Sequence, residues 1–300
     1  MRIKNVKKTL ATLLLGIGVG FCNSSHEIYA GDNQSPSRLE KHLFGGGLTH
    51  SLIEWRELRK GLYFTQVDLL RGTNIEDIVG VLKIDPENYS FRVFFDPTGK
   101  NIDDWQDETK APIIFNSSYF EPDYSPTGLI IAKDKKIGPS SKKKMAGMFL
   151  ANSKNPYIPN ADVIDLEETD VNLQRLEYSD GVQSFPLLVD FNGKIKVNPS
   201  EYRADRTVIA NDKNGDILLF STEGRGVTLY DMALFLRDSS FSIKRALNLD
   251  GGLATALKIN IGGVSYSNYG GDEIHPKYGD ISRPGLKLKL PAVIGVFQRE

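Results

Sequence analysis

Apolar residues alternate with polar ones along most of the chain after residue 60, and this pattern predicts a protein built mainly of strands. The clearest strands are predicted at 63–69, 78–84 and 91–95. These segments are rich in β-branched and aromatic residues, as half-buried strands are. Turn-forming residues also predict hairpins. The hairpins are expected at 128–137, at Asn192–Gly193 and at Asn214–Gly215.

One helix is predicted with a defined start. Thr228 is followed three residues later by Asp231, which is the pattern of a capped first turn. The next apolar residues recur at helical spacing and form a single stripe. They are Leu229, Met232, Ala233 and Leu236. We expect this helix to cover a sheet. The predicted fold class is therefore α+β, a single β-rich domain with a mixed sheet, several hairpins and a few covering helices.

Residues 1–30 have the organisation of a signal peptide. Four basic residues precede an apolar run from Thr9 to Phe21, which is too short to span a membrane stably, and Ala30 offers a cleavage site. Cys22, the only cysteine, lies where a lipoprotein cysteine would lie, but Phe21 before it is bulkier than lipoprotein signals use. We therefore expect a secreted or periplasmic protein with no membrane span after processing, rather than a lipoprotein.

The rest of the chain is expected to form one domain. Residues 31–60 begin as a polar, glycine-rich segment and are predicted to be a flexible leader, whereas residues 61–300 contain no linker or repeat. The formal net charge is −1, and removing residues 1–30, with four positive and one negative side chain, brings it to −4. A nucleic-acid partner is not expected, because binding it would require a concentrated basic face.

The most informative polar residue is Asp250. It directly follows a predicted strand at 246–249 and precedes Gly251–Gly252, whose missing side chains let backbone or substrate approach closely. Asp-Gly pairs are also ordinary turn formers, so the motif by itself leaves both a site and a turn open. Arg206 begins a strand at 206–210 that we expect to lie beside the Asp250 strand.

Two further polar segments follow apolar strands. Asn116 ends the strand at 111–115, and its amide can both donate to and accept from a sugar hydroxyl, although an Asn at a strand end is also a common turn residue. Gln183 and Ser184 precede Phe185 and Pro186. They are candidates to line a site, and the same segment is equally compatible with a buried hairpin start.

Taken in order, these segments resemble the phosphodiester glycosidase family, whose members are uncovering enzyme-like domains. The resemblance runs from about residue 61 to 297. It rests on the segments 116–120, 126–131, 182–194, 206–207, 228–238, 246–252, 283–284 and 291–297. The family has Asn-Gly-Gly at 116–118, Gly at 185 and Gly-Ser at 253–254. This chain departs from that pattern with Ser117, Ser118, Phe185, Leu253 and Ala254.

The resemblance implies a secreted glycosidase that hydrolyses sugar-1-phosphodiester linkages, with an exopolysaccharide or envelope glycan as substrate. Asp250 is expected to stabilise an oxocarbenium-like transition state directly or by activating water. Arg206 is expected to pair with the phosphate oxygens. Glu223 is the candidate for a second carboxylate, and Glu121 and Asp123 stay open for that role.

The matched motifs also imply the substrate-binding residues. They are Asn116, Ser118, Tyr119, Gln183, Arg225, Asn248, Gly251, Gly252, Thr255 and Arg283. Arg225 and Arg283 are equally compatible with surface ion pairs. No cofactor is expected; a divalent metal at Asp250 stays open, although no His/Asp/Glu spacing argues for one. The replaced glycines leave a rival function, a non-catalytic carbohydrate-binding or envelope-associated protein of the same fold.

Overall fold

The computed structural model describes residues 48–139, 145–169, 171–173 and 175–299. The predicted signal peptide, its cleavage site, Cys22 and the first part of the predicted leader lie outside these residues. Within the described ranges, no helix combines the length and the apolar character that crossing a membrane requires.

Strands are the main secondary structure of the described chain and make up nearly half of its residues, which confirms the predicted β-rich domain. In the first half they are β1 (Leu48–His50), β2 (Arg56–Arg59), β3 (Leu62–Arg71), β4 (Asn74–Ile84), β5 (Tyr89–Lys100), β6 (Ile113–Asn116), β7 (Ile130–Ala132), β8 (Lys135–Ile137), β9 (Gly147–Ser153) and β10 (Ala161–Asp165). In the second half they are β11 (Tyr178–Ser184), β12 (Leu187–Val189), β13 (Arg203–Ala204), β14 (Thr207–Asp212), β15 (Ile217–Thr222), β16 (Ile243–Asn248), β17 (Leu257–Ile261), β18 (Val264–Asn268), β19 (Glu273–His275), β20 (Gly279–Asp280) and β21 (Leu290–Gln298).

Two α-helices interrupt the strands of the described chain. They are α1 (Ile102–Thr109) and α2 (Leu229–Asp238), and a 3₁₀ turn covers Gly252–Ala254. The predicted start of α2 is confirmed, because the Thr228 side chain accepts a hydrogen bond from the Asp231 amide at 3.0 Å. The predicted apolar stripe also packs as expected, with Met232 and Leu236 fully buried.

The strands form four sheets. Their orders are β1-β3-β4-β15-β14-β16-β12 with β2 beside β3, β10-β9-β11-β7-β8, β18-β17-β6-β21-β5, and the small β13-β19-β20 sheet. Every pairing between these described strands is antiparallel, so the predicted mixed sheet is wrong. Short turns join many sequential strands, and a parallel pair would need a long crossover instead.

The main core lies where the three large sheets meet. Leu82 of β4, Phe115 of β6 and Phe149 of β9 belong to one buried cluster. A second cluster on another face of the largest sheet includes Phe235 of α2 and Ala210 of β14. The prediction that α2 covers the sheet carrying Asp250 is therefore confirmed.

The sheet begins earlier in the chain than the predicted boundary at residue 61. Both β1 and β2 pair with β3, although they belong to the segment predicted as a flexible leader. The reason is apolar burial, because Leu48 and Leu58 are buried there. Residues 48–59 therefore belong to the domain.

The predicted hairpins have different outcomes. Those at 128–137 and at Asn214–Gly215 form as β7–β8 and β14–β15. At Asn192–Gly193 the chain turns, but its return arm makes only an isolated bridge between Val189 and Ile195. Asp190 satisfies the amides of this turn by accepting from Asn192 and Lys194, so the turn closes without a second strand.

Candidate active site

Strand pairing brings Arg206 and Asp250 to the same end of the largest sheet. β14 and β16 are antiparallel neighbours, with Val208 opposite Asn248. Arg206 immediately precedes β14 and Asp250 closely follows β16, so the two residues leave the sheet side by side. The predicted adjacency of their strands is confirmed.

Asn116 ties a neighbouring sheet to this end. Its Oδ1 accepts from Thr207 Oγ1 at 2.7 Å and from the Ala256 amide at 3.0 Å. Its Nδ2 donates to the Asp250 carbonyl at 2.8 Å and to the Ser117 carbonyl at 3.2 Å. Both amide protons and both oxygen lone pairs are thus used, and the side chain is buried. Asn116 holds the site together and has no hydrogen-bonding capacity left for a sugar, which corrects its predicted role.

The Asp250 carboxyl lies in an environment that disfavours its charge. Burial of the group, together with the charge of Glu273, raises its pKa to about 7, while a hydrogen bond from the Gly251 amide at 2.9 Å opposes the shift. The side chain keeps part of its surface exposed. A carboxyl with a pKa near neutrality can give up or take up a proton at physiological pH.

Both glycines after Asp250 are required by close approaches. A Cβ on Gly251 would lie 2.7 Å from the Asp205 carbonyl oxygen. Gly252 has a φ of +58°, and a Cβ there would lie 2.8 Å from Glu273 Oε2. The Asp-Gly-Gly motif therefore lets the Glu273 carboxylate come next to the Asp250 loop.

Glu273 is the second carboxylate of the site, and the sequence motifs did not indicate it. It begins β19 in the small three-stranded sheet and accepts a hydrogen bond from the Tyr202 hydroxyl. The sequence signal that could have indicated Glu273 is the glycine pair Gly270–Gly271, which precedes Asp272 and Glu273 as Gly251–Gly252 follows Asp250. In the structure, a Cβ on Gly270 would lie 2.6 Å from the Thr255 Cβ, so this pair also permits a close approach.

Arg206 supplies a buried cation to the site. Its Nε donates to the Val227 carbonyl at 3.0 Å, its Nη2 donates to the Tyr202 carbonyl at 3.2 Å, and the guanidinium lies 5.2 Å from the centre of the Tyr202 ring. Among the described residues it has no carboxylate partner within ion-pair distance, and Nη1 donates to none of them. That Nη1 lies beside Gly251, at 3.8 Å from where a Cβ would be.

Asp205 anchors the loops that surround Arg206. Its Oδ2 accepts from the Asp272 amide at 2.8 Å, and its backbone carbonyl accepts from the Gly252 amide at 2.8 Å. Burial raises the pKa of the Asp205 carboxyl to about 7. Asp205 thus joins the Gly251–Gly252 turn to the strand that carries Glu273.

An aromatic pair adjoins Asp250. The Tyr119 and Phe185 rings are 4.6 Å apart between centroids and tilted by 33°. Asn248 lies against both residues, because its Nδ2 donates to Tyr119 Oη and to the Leu249 carbonyl at 2.6 Å each, and the Phe185 carbonyl lies 3.3 Å from the same nitrogen. Burial and the Asp250 charge raise the pKa of Tyr119, so its hydroxyl stays protonated at neutral pH.

Several predicted ligands are buried polar groups. Ser117 and Ser118 take the place of glycines without strain, because neither residue is among those with positive φ. Gln183 is fully buried and its Oε1 accepts from the Leu129 amide at 3.0 Å. The buried atoms with no hydrogen-bond partner in the described chain include Ser117 Oγ, Ser118 Oγ, Gln183 Nε2, Asn248 Oδ1 and Thr255 Oγ1.

Glu223 belongs to a different cluster. It accepts from Gln66 Nε2 at 2.8 Å, and its own amide donates to Asp77 Oδ1 at 3.1 Å. Asp77 is buried, and burial together with the charge of Asp205 raises its pKa to about 8. Glu223 is thus a partner of the strand region around Asp77, which favours Glu273 over Glu223 as the second carboxylate.

The remaining candidates lie at the surface. Arg225 is exposed on the loop between β15 and α2. Arg283 is exposed as well, and its Nη1 donates to the Ser282 carbonyl at 2.8 Å. Glu121 and Asp123 are exposed on a turn, where Asp123 accepts from Ser125. No contact brings these four side chains to Asp250 in the described chain.

In chemical terms, the site combines two carboxyl groups, one cation and an aromatic wall. Among the described residues, no group of three or more His, Cys, Asp or Glu is arranged to hold a metal ion. The Asp250 carboxyl exchanges protons near pH 7, and the Arg206 Nη1 has no hydrogen-bond acceptor among the described residues. These two groups suit hydrolysis of a substrate that carries a phosphate.

Comparison with known proteins points the same way. The family described as phosphodiester glycosidase matches residues 109–297, more than half of the chain. The catalytic domain of zebrafish N-acetylglucosamine-1-phosphodiester alpha-N-acetylglucosaminidase, auto-inhibited by its pro-peptide, is 18% identical with a TM-score of 0.56 and 85% of each chain covered. A hypothetical protein from Synechocystis is 17% identical with a TM-score of 0.50, covering 83% of this chain and 64% of its own. These two likenesses show a shared fold. No curated protein matches.

Proposed function

Since the chain belongs to the phosphodiester glycosidase family, we propose that it hydrolyses the bond between C1 of a sugar and a phosphate oxygen in a sugar-1-phosphodiester. One observation carries this proposal. The Asp250 carboxyl, with its pKa raised to about 7, and the Arg206 guanidinium, with its Nη1 edge unpaired among described residues, leave adjacent strands at the same sheet end.

Asp250 acts as the general base. It takes a proton from a water molecule whose oxygen forms a bond to C1, and the electron pair of the C1–O bond leaves with the phosphate as a phosphomonoester. The positive charge that develops on the ring in the transition state is stabilised by the nearby carboxylate. A base with a pKa near the working pH combines a usable ionised fraction with sufficient proton affinity.

Arg206 neutralises the charge that collects on the departing phosphate. Its carbonyl contacts fix the Nε and Nη2 side of the fork, so the Nη1 edge is held in one orientation for phosphate oxygens. The cation has no carboxylate partner in the described chain that would compete with a phosphate. Because the phosphate is already a good leaving group, the site depends less on a general acid than ordinary glycosidases do.

Glu273 adds to the effect of burial on the Asp250 carboxyl. Its charge raises the pKa of Asp250, and its hydrogen bond from Tyr202 fixes the carboxylate beside the Gly252 turn. Like charges in proximity disfavour ionisation of one partner. Burial is the main cause of the raised pKa of Asp250, and the charge of Glu273 adds to it.

The substrate is an exopolysaccharide or envelope glycan, and the protein meets it outside the cytoplasm after removal of residues 1–30. The basic start, the short apolar run and Ala30 support export. The intact mass of exported protein tests this part. We expect the mass of residues 31–300. A mass that includes Cys22 with acyl chains would show instead that the protein is a lipid-anchored lipoprotein.

Hydrolysis in water enriched in oxygen-18 tests the reaction. The purified mature protein is incubated with the methyl phosphodiesters of N-acetylglucosamine, glucose and galactose 1-phosphate. We expect release of reducing sugar that carries the heavy oxygen at C1, since the C1–O bond breaks. Heavy oxygen in the phosphate would identify a phosphodiesterase that cleaves P–O. No turnover on any sugar phosphodiester would favour the non-catalytic carbohydrate-binding function.

A further inference from the structure

Two segments that are far apart in the sequence meet beside Asp250 through the rings of Tyr119 and Phe185. Ser117 and Ser118 stand where the family has two glycines, and Phe185 stands where it has another. The Asn248 side chain connects the two segments through its hydrogen bonds to Tyr119 Oη and to the Phe185 carbonyl. These contacts hold the two segments together beside the proposed base.

The patch presents an aromatic surface. Phe185 is a large apolar side chain that is 38% exposed, and its ring packs on Tyr119 at 4.6 Å. Exposed apolar area is unfavourable in water, and the contact with Tyr119 restricts the orientation of the Phe185 ring. The C–H face of a pyranose ring is apolar and flat enough to cover such a ring. A ligand that stacks there removes both apolar surfaces from water.

Buried polar side chains precede both aromatic residues along the chain. Two buried polar side chains precede each aromatic residue along the chain, and one atom of each lacks a hydrogen-bond partner in the described chain. These atoms are Ser117 Oγ and Ser118 Oγ before Tyr119, and Gln183 Nε2 and Ser184 Oγ before Phe185. Leaving a buried polar group unpaired costs free energy, so such a group in a native fold requires an explanation.

We infer that Tyr119 and Phe185 form the binding surface for the sugar ring of the substrate, and that Phe185 determines which sugars this chain accepts. The inference rests on the proposed function for the class of substrate, a sugar 1-phosphate unit. The sugar lies against the aromatic pair on the Asn248 side of Asp250, and the phosphate lies at Arg206. The serines then form part of a sugar site, and they are not signs of a lost active site.

Calorimetric binding of glucose 1-phosphate, N-acetylglucosamine 1-phosphate and inorganic phosphate tests the surface. We expect Phe185→Ala to weaken binding of the sugar phosphate that the wild type prefers by about 5- to 10-fold, the range for one aromatic stack. Binding of inorganic phosphate is expected to stay unchanged. Phe185→Tyr keeps the ring and should bind within about 2-fold of wild type by the same reasoning. Tyr157→Ala removes an aromatic residue that is 93% exposed elsewhere and serves as the matched control.

Thermal melts establish that each variant folds. Unchanged sugar phosphate binding in Phe185→Ala would overturn the inference, as would an equal loss for inorganic phosphate or a wild type that binds neither sugar phosphate. The proposed function fails separately. Ring-dependent binding without hydrolysis of any sugar phosphodiester would keep the aromatic surface and reject the hydrolase. Hydrolysis of a sugar phosphodiester by the wild type, with unchanged sugar phosphate binding in Phe185→Ala, would keep the hydrolase and reject the aromatic surface.

Discussion

The side-chain amide of Asn116 donates a hydrogen bond to the backbone carbonyl of Asp250 at 2.8 Å. The same side chain accepts from Thr207 and from the Ala256 amide. One buried residue thus connects the end of β6 to the start of β14 and to the loop that carries the proposed base. The position of Asp250 relative to the sheets depends on this residue.

Replacing Asn116 by Ala should damage both stability and turnover. Several buried partners lose their hydrogen bonds, so the free energy of unfolding should fall by about 2 kcal/mol or more. Because Asn116 positions Asp250 and does not bind sugar, kcat should fall while KM changes little. Urea unfolding and steady-state kinetics measure the two effects. A rise in KM with an unchanged kcat would instead show direct substrate binding.

Replacing Arg206 by Lys should weaken recognition of phosphate. Lysine keeps the charge but cannot present the fork that is held by the Val227 and Tyr202 carbonyls. We expect kcat/KM for a sugar-1-phosphodiester to fall by about 10-fold or more, since each 1.4 kcal/mol lost is tenfold. Arg225→Lys, at an exposed position, is the matched control. Equal losses in the two variants would contradict a specific role for Arg206.

Two glutamate variants test whether Glu273 or Glu223 is the second carboxylate of the site. Glu273→Gln removes the charge that raises the pKa of Asp250, so the pH at which activity is half-maximal should move below about 7 and the maximal rate should fall. Glu223→Gln should leave that pH unchanged, because Glu223 contacts Gln66 and the Asp77 region. The pH dependence of kcat/KM is the measurement. A shift in the Glu223 variant alone would restore the assignment made from sequence.

Buried Asp77 should make stability depend on pH. Its pKa is raised from 3.8 to about 8 by folding, so its contribution to stability is fully present below about pH 4 and is lost as pH rises through about 8. Asp77→Asn removes this loss, and its melting temperature at about pH 8 should exceed that of wild type by about 3 °C or more. Exposed Glu121→Gln is the control. A variant that melts with the wild-type pH dependence would show that Asp77 does not carry it.

Local features of the sequence predicted local structure well. Thr228 and Asp231 predicted the start of α2, because a cap needs only neighbouring residues. Arg206 and Asp250 were placed together correctly, because their strands are close in the sequence and pair through a sheet. The parallel component of the predicted sheet was wrong, since strand direction depends on how distant segments assemble.

Tertiary contacts decided what the sequence could not. Glu273 comes from a three-residue strand with no alternating pattern, and only the folded chain brings it next to Gly252. Asn116 was expected to bind sugar, but partners from three distant segments use its whole amide. The roles of such residues depend on hydrogen bonds between segments, and the spacing of motifs does not encode these.

The most direct test of the account is kcat/KM of wild type and Asp250→Asn on the methyl phosphodiester of N-acetylglucosamine 1-phosphate, or on whichever sugar phosphodiester the wild type turns over best. The pH runs from about 5 to 9. We predict a wild-type rate that rises with pH through about 7, as the Asp250 carboxyl ionises. We also predict an Asp250→Asn rate lower by about 100-fold or more with an unchanged fold. A variant that keeps the wild-type rate and pH dependence would contradict the proposed role of Asp250.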